Sequence, residues 1–282
     1  MGIISEIFLP LAIAFIMLSL GLGLTIKDFS RVFNQPRDFF IGLSSQIIVL
    51  PIIGFIIIMV IPLSSPELAV GVMIIAAVPG GATSNMFTSL AKGDVALSVS
   101  LTAVTSLICV ITIPFIAVNS FNYLIGTDIE ISILKKSLGL FAIITVPTII
   151  GMLIRKFFEN AALNFEKKAK VISVVLLSLV IIGAIVKYRE DVFEYFKQAG
   201  FVTLLLNIIM MIVAFYIARL FVTGIKQSKC ITLECGLQNG TIAIFVAEEF
   251  FNGGAYLIPA ATYSLIMFAT SIVFVYFVRN ST

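Results

Sequence analysis

The chain has 282 residues, 60% of them hydrophobic and only 12% charged, with a net charge of +3 and no histidine. A soluble fold is excluded, because a water-facing surface needs about 25% charged residues and half that density cannot wrap a core of this size. The missing imidazole also excludes a serine/histidine dyad, a helical zinc site of the H-E-x-x-H kind and a haem ligand, so the chain is read as a non-enzyme.

A bilayer core about 30 Å thick takes about 20 residues of helix. Nine stretches qualify: 4 to 25, 38 to 60, 67 to 91, 94 to 119, 133 to 157, 168 to 188, 197 to 223, 229 to 251 and 255 to 279. The predicted fold class is therefore an all-α polytopic membrane protein with nine transmembrane helices. Met1 to Ser5 lacks a basic run and the apolar stretch from Ile7 continues too far for a cleaved leader, so this stretch is read as the first span. Cys109, Cys230 and Cys235 lie in or beside apolar stretches and imply no disulfide framework. Lys and Arg in short loops are retained on the cytoplasmic side. With the N-terminus outside, 13 of the 18 basic residues are cytoplasmic, leaving Lys135, Lys136, Lys187, Arg189 and Lys197 opposite. This predicts a multi-pass protein of the cell membrane with a cytoplasmic C-terminus. No basic domain stands outside the lipid bilayer, so no nucleic-acid partner is expected.

The third span contains Val78-Pro79-Gly80-Gly81-Ala82-Thr83-Ser84-Asn85 at mid-membrane depth. Proline removes a backbone donor, glycine disfavours helix, and broken backbone survives in lipid only where protein or a wet cavity covers it. A proline kink is the simpler reading, but two glycines and a polar run exceed what a kink needs. The eighth span has a counterpart, Glu234-Cys235-Gly236-Leu237-Gln238-Asn239-Gly240. An acid at mid-helix costs about 2.5 to 3.5 kcal/mol on insertion scales, so Glu234 is expected to face the interior and hold an ion, ligand or proton. Gly236 and Gly240 could instead be a helix-packing face, and Glu234 a protonated hydrogen-bonding carboxyl. Spans two to four match spans seven to nine, each trio centred on an interrupted helix, which is the pattern of an inverted-repeat secondary transporter.

Other polar residues cluster in register with these. Ser98 and Thr102 share one face of the fourth span, and Gln46 lies mid-way along the second beside Ser44 and Ser45. One carboxylate, amides and hydroxyls suit a monovalent cation, with sodium the natural choice, since a single negative charge undercompensates a divalent ion. The second halves of both broken helices begin at mid-membrane, where their N-terminal dipole ends attract an anion.

At these residues the chain resembles the bile acid:sodium symporter family. The matching stretches are Pro79 to Asn85, Leu90 to Ser98 and Glu234 to Asn239, and similarity runs from about Leu18 to the C-terminus. The resemblance implies a core of six helices (38–119 and 197–280) with two crossing broken helices, and a panel (1–26 and 133–190). It further implies two sodium sites, the first using Ser84, Asn85, Ser98, Thr102 and Glu234. The second would use Gln46, Glu234, Gln238 and the backbone carbonyls of Cys235 and Leu237. Ala82, Thr83 and Asn239 would meet an organic anion such as a bile acid-like, steroid sulphate, keto acid or pantothenate-like carboxylate. Near Met267 and Phe268 this chain is apolar where some relatives are polar. The expectation is a monomeric sodium-coupled symporter without cofactors, working by alternating access. The alternative is a proton-coupled transporter or sodium/proton exchanger in which Glu234 titrates.

Overall fold

The computed structural model describes residues 7–126, 132–187 and 189–280. The start of the expected span 4 to 25, the loop residues 127–131 and Tyr188 lie outside the described residues. Among those described, helices account for nearly the whole chain and the only extended pairing is an isolated antiparallel bridge between Gly80 and Gln238.

The longer helices are α1 (Leu9–Gly23), α2 (Pro36–Val60), α3 (Pro66–Ala77), α4 (Ala82–Leu90), α5 (Val95–Ile125) and α6 (Ile133–Phe157). They continue with α7 (Glu159–Lys187), α8 (Arg189–Phe221), α9 (Ile225–Gly236), α10 (Gly240–Phe251) and α11 (Ile258–Val278). Among the described residues, five helical stretches are long and apolar enough to cross a membrane: Pro36–Val60, Val95–Ile125, Ile133–Phe157, Ala199–Phe221 and Gly254–Val278. This is an all-helical architecture of the polytopic membrane class. Several helices outrun the stretches that hydropathy marks. α5 continues past Ser120 until Gly126, whose left-handed backbone (φ 74°) ends it, and α8 begins at Arg189, ahead of residue 197. Helix persists wherever backbone bonds close, whether or not the side chains are apolar.

Prolines shape the rest. Pro51 and Pro147 each follow one wide π-type turn, Ser45–Val49 in α2 and Phe141–Thr145 in α6. A proline ring clashes with the carbonyl four residues back and offers it no donor, and a widened turn relieves both faults. The turn in α2 carries Gln46. Pro114 is absorbed within α5.

α1 packs against α6 and α7, α8 against α9 and α11, and α5 against α3, α4 and α6. A Cβ on Gly21 would strike the Thr148 carbonyl, and one on Gly151 would strike the Leu18 carbonyl, so α1 and α6 meet backbone to backbone. Small residues allow such approach where lipid offers no hydrophobic drive to helix association.

Candidate functional site

The third and eighth apolar stretches are each interrupted. α3 ends at Ala77 and α4 starts at Ala82; α9 ends at Gly236 and α10 starts at Gly240. A twelve-residue half such as α3 is about 18 Å long, so it reaches only part-way through a bilayer. Helix ends buried at that depth need partners for their backbone groups, and the two breaks supply them to each other. Gly81 N–H donates to the Leu237 carbonyl and Asn239 N–H to the Pro79 carbonyl, both at 2.9 Å. Gly80 and Gln238 lie at the centre of this exchange.

The approach is close enough that a Cβ on Gly80 would fall on Glu234 Oε2. Glu234, only 3% exposed in the last turn of α9, directs its carboxylate across the break toward α4 and α5. Ser84 Oγ donates to Oε1 at 2.5 Å, Ser98 Oγ donates to the same oxygen, and Thr102 Oγ1 lies 3.1 Å from Oε1 and 2.9 Å from Oε2. Ser84 Oγ also lies 2.7 Å from the Gly81 carbonyl and 3.4 Å from Thr102 Oγ1, and Thr88 Oγ1 donates to Ser98 Oγ at 3.4 Å. A hydroxyl has one proton, so Ser84 can serve only one of its two acceptors at a time. The result is a buried cluster of oxygens, one carboxylate among them, with fewer protons than acceptors. Such a cluster is stabilised by an added positive charge.

The other sequence candidates fall into a second group. Gln46 Nε2 donates to Gln238 Oε1 at 2.7 Å and to the Val78 carbonyl at 3.1 Å, and Gln238 Nε2 donates to the Cys235 carbonyl at 2.8 Å. The structure thus gathers Ser84, Ser98, Thr102 and Glu234 in one place, and Gln46, Gln238 and the Cys235 carbonyl beside the break in another. The Leu237 carbonyl accepts from Gly81. Among the described residues, the buried amide oxygens that lack a hydrogen-bond partner are Gln46 Oε1 in the second group, Asn85 Oδ1 on the residue after Ser84, and Asn207 Oδ1 on α8. A bare amide oxygen in the interior costs about 1 to 3 kcal/mol, a cost that a bound cation would recover.

The two half-helix N-termini differ. Asn239 caps α10 through its own side chain, Oδ1 accepting from Ile242 N–H at 3.2 Å, whereas α4 has no side-chain cap. Ala82 is exposed and Thr83 half-buried at the start of α4, while Asn239 is buried. Met267 is buried, and Phe268 sets its ring 6.1 Å from that of Phe87 on α4. A recess of about 400 Å³ is lined by Ile61, Pro62, Leu63, Ser64, Phe201 and Val202, none of them a candidate residue.

Sequence reasoning missed several buried polar groups, one of them at the second break. Asn207 on α8 donates to the Gly236 carbonyl at 2.7 Å and to the Tyr263 hydroxyl at 2.9 Å. Asp38 is fully buried at the start of α2, where Thr223 N–H and Oγ1 bond it at 2.9 and 2.6 Å. Asn207 had a legible signal, an amide at mid-span depth; Asp38 had none, since it reads as a membrane-edge charge.

Paired breaks beside a buried carboxylate are a pattern of membrane transporters, and residues 10–195 match the family model described as the Sodium Bile acid symporter family. The chain belongs to that family. It is 28% identical over 249 residues to "Probable sodium/metabolite cotransporter BASS2, chloroplastic" of Oryza sativa subsp. japonica, covering 88% of this chain and 58% of the relative. It is 25% identical to "Probable sodium/metabolite cotransporter BASS1, chloroplastic" of Arabidopsis thaliana, covering 88% and 61%. It is 26% identical to "Uncharacterized sodium-dependent transporter YocS" of Bacillus subtilis (strain 168), covering 92% and 78%. The chain thus spans about three fifths of the length of the two plant relatives.

Proposed function

We propose that the protein is a sodium-coupled symporter that carries an organic anion across the cell membrane by alternating access. The observation that carries this reading is the proton-poor oxygen cluster around Glu234 together with the bare oxygens of Gln46 and Asn85. The family, and relatives named as sodium/metabolite cotransporters and a sodium-dependent transporter, support sodium as the cation.

In this reading the first sodium is held by Ser84, Asn85, Ser98, Thr102 and Glu234. On ion entry the three hydroxyls, whose protons point at the carboxylate, turn a lone pair to the ion, and Asn85 Oδ1 completes the shell. The second sodium takes Gln46, Gln238 and the Cys235 and Leu237 carbonyls, with Glu234 supplying charge to both. The anion docks at the uncapped start of α4, near Ala82 and Thr83, with Asn239 opposite, so that cation and anion neutralise one another. Nine spans then divide into a core of α2–α5 and α8–α11 and a panel of α1, α6 and α7. The tight backbone contact of α1 with α6 favours that division. Basic residues put the N-terminus outside. Proton coupling through Glu234 would leave the bare amide oxygens of Gln46 and Asn85 without a role, and the relatives are named for sodium, so sodium is the better reading.

The test is uptake into proteoliposomes of a labelled panel comprising a bile acid, a steroid sulphate and a keto acid, with sodium or potassium outside at constant pH. At least one solute should enter faster with sodium, and Glu234→Gln should cut that component to below about one hundredth, in line with about 3 kcal/mol for breaking a buried charge pair. Uptake equal in both salts for every solute, or untouched by Glu234→Gln, sinks the reading.

A further inference from the structure

Each broken helix is braced by an amide from the helix immediately before it in the chain. Gln46 on α2 donates to the carbonyl of Val78, the residue that follows α3. Asn207 on α8 donates to the carbonyl of Gly236, the last residue of α9. The exchange of bonds between Gly81 and Leu237 and between Asn239 and Pro79 is symmetric about Gly80 and Gln238, which makes Val78 and Gly236 equivalent positions. Gln46 and Asn207 are therefore matched braces, one at each break.

Their surroundings differ in a way that proton accounting makes specific. Asn207 Nδ2 has two protons and two acceptors, the Gly236 carbonyl at 2.7 Å and the Tyr263 hydroxyl at 2.9 Å. Tyr263 has one proton and gives it to the same Gly236 carbonyl at 3.1 Å. All three donors are used and both lone pairs of that carbonyl are filled, while Asn207 Oδ1 accepts no hydrogen bond. Asn207 and Tyr263 are each fully buried, so these bonds have no competition from water. On either side of Gly236, the Cys235 carbonyl accepts from Gln238 Nε2 and the Leu237 carbonyl from Gly81 N–H, one bond each, which leaves each a lone pair.

We propose that Asn207 and Tyr263 are positioning residues for the second sodium. By clamping the Gly236 carbonyl toward α8 and α11, they fix the peptide planes before and after it, so that the Cys235 and Leu237 carbonyls stay presented to a cation beside Gln46 and Gln238. In this role both act through the Gly236 carbonyl and not on the ion. The inference rests on the two-sodium reading above.

Equilibrium binding of radioactive sodium to the purified full chain tests it without need of the transported anion. The wild-type protein should bind two sodium ions. Tyr263→Phe keeps the ring and removes only the hydroxyl; it should weaken one of the two sites by about tenfold, the scale of a lost buried hydrogen bond, and leave the other unchanged. Asn207→Leu should do the same more strongly, and if that variant fails to fold, Tyr263→Phe decides alone. Ser98→Ala should weaken the other site, identifying which one Tyr263→Phe spares. Two wild-type sites unaltered in Tyr263→Phe, or both weakened equally, overturn the positioning role while leaving sodium coupling intact. Absence of saturable sodium binding by the wild type overturns sodium coupling itself, and the positioning role with it.

Discussion

A buried carboxylate needs either a counter-charge or donors, and Glu234 has three hydroxyls in its place. That choice makes the group adjustable, since a hydroxyl donates to the carboxylate when no ion is present and accepts onto a cation when one is. Ser98→Ala and Thr102→Val each remove one such group at nearly constant volume. Each should raise the sodium concentration for half-maximal binding about tenfold, on the scale of 1.5 kcal/mol for a hydrogen bond to a charged group. The double variant should depart from additivity, because both side chains meet the same carboxylate. Isothermal titration with sodium chloride in detergent measures all three, and wild-type affinity in both single variants would remove these hydroxyls from the ion shell. Glu234, Ser98 and Thr102 were legible in the sequence as polar groups at membrane depth. That all three converge with Ser84 was not, because 136 positions separate Ser98 from Glu234 and no spacing rule spans such a gap.

At the scale of elements, the broken helices are the structural device and the prolines and glycines their cause. Pro79, Gly80 and Gly81 explain the first break locally. The second has no proline; its backbone leaves the helix at Leu237, where a bond from Gly81 replaces the intrahelical one. Each break thus depends on the other, and composition alone marked the first more plainly than the second. The α1–α6 contact depends on small residues in a similar way. Gly151→Leu pushes a side chain into the Leu18 carbonyl and should lower the melting temperature in detergent by several degrees, as overpacking costs about 1 to 3 kcal/mol. Ser178→Leu, on an exposed face of α7, is the control and should change little. Equal melting of the two variants would show that α1 and α6 do not meet this closely.

For the molecule as a whole, orientation and ion linkage are open to direct measurement. Lys27, before α2, and Ser64, between α2 and α3, are both exposed and lie at opposite ends of α2. In right-side-out vesicles a membrane-impermeant maleimide should label Ser64→Cys at once and Lys27→Cys only after permeabilisation; the reverse pattern inverts the topology. Cys109, Cys230 and Cys235 are buried, so their background should be low. Sodium that binds only the folded protein should raise its melting temperature in proportion to the logarithm of its concentration, potassium should not, and Glu234→Gln should abolish the difference. A sodium shift that persists in Glu234→Gln would place the ion elsewhere. The amino-acid sequence by itself determined the membrane class, the positions of both helix breaks and the buried acid, because each is a local conflict between residue type and a medium without water. Tertiary structure alone decided which distant groups meet: that the breaks bond to each other, that Glu234 faces three hydroxyls while Gln46 faces Gln238, and that Asn207 and Tyr263 fill the Gly236 carbonyl. The physical reason is that a buried polar group must find a partner, but only the packing of helices determines which partner is within 3 Å.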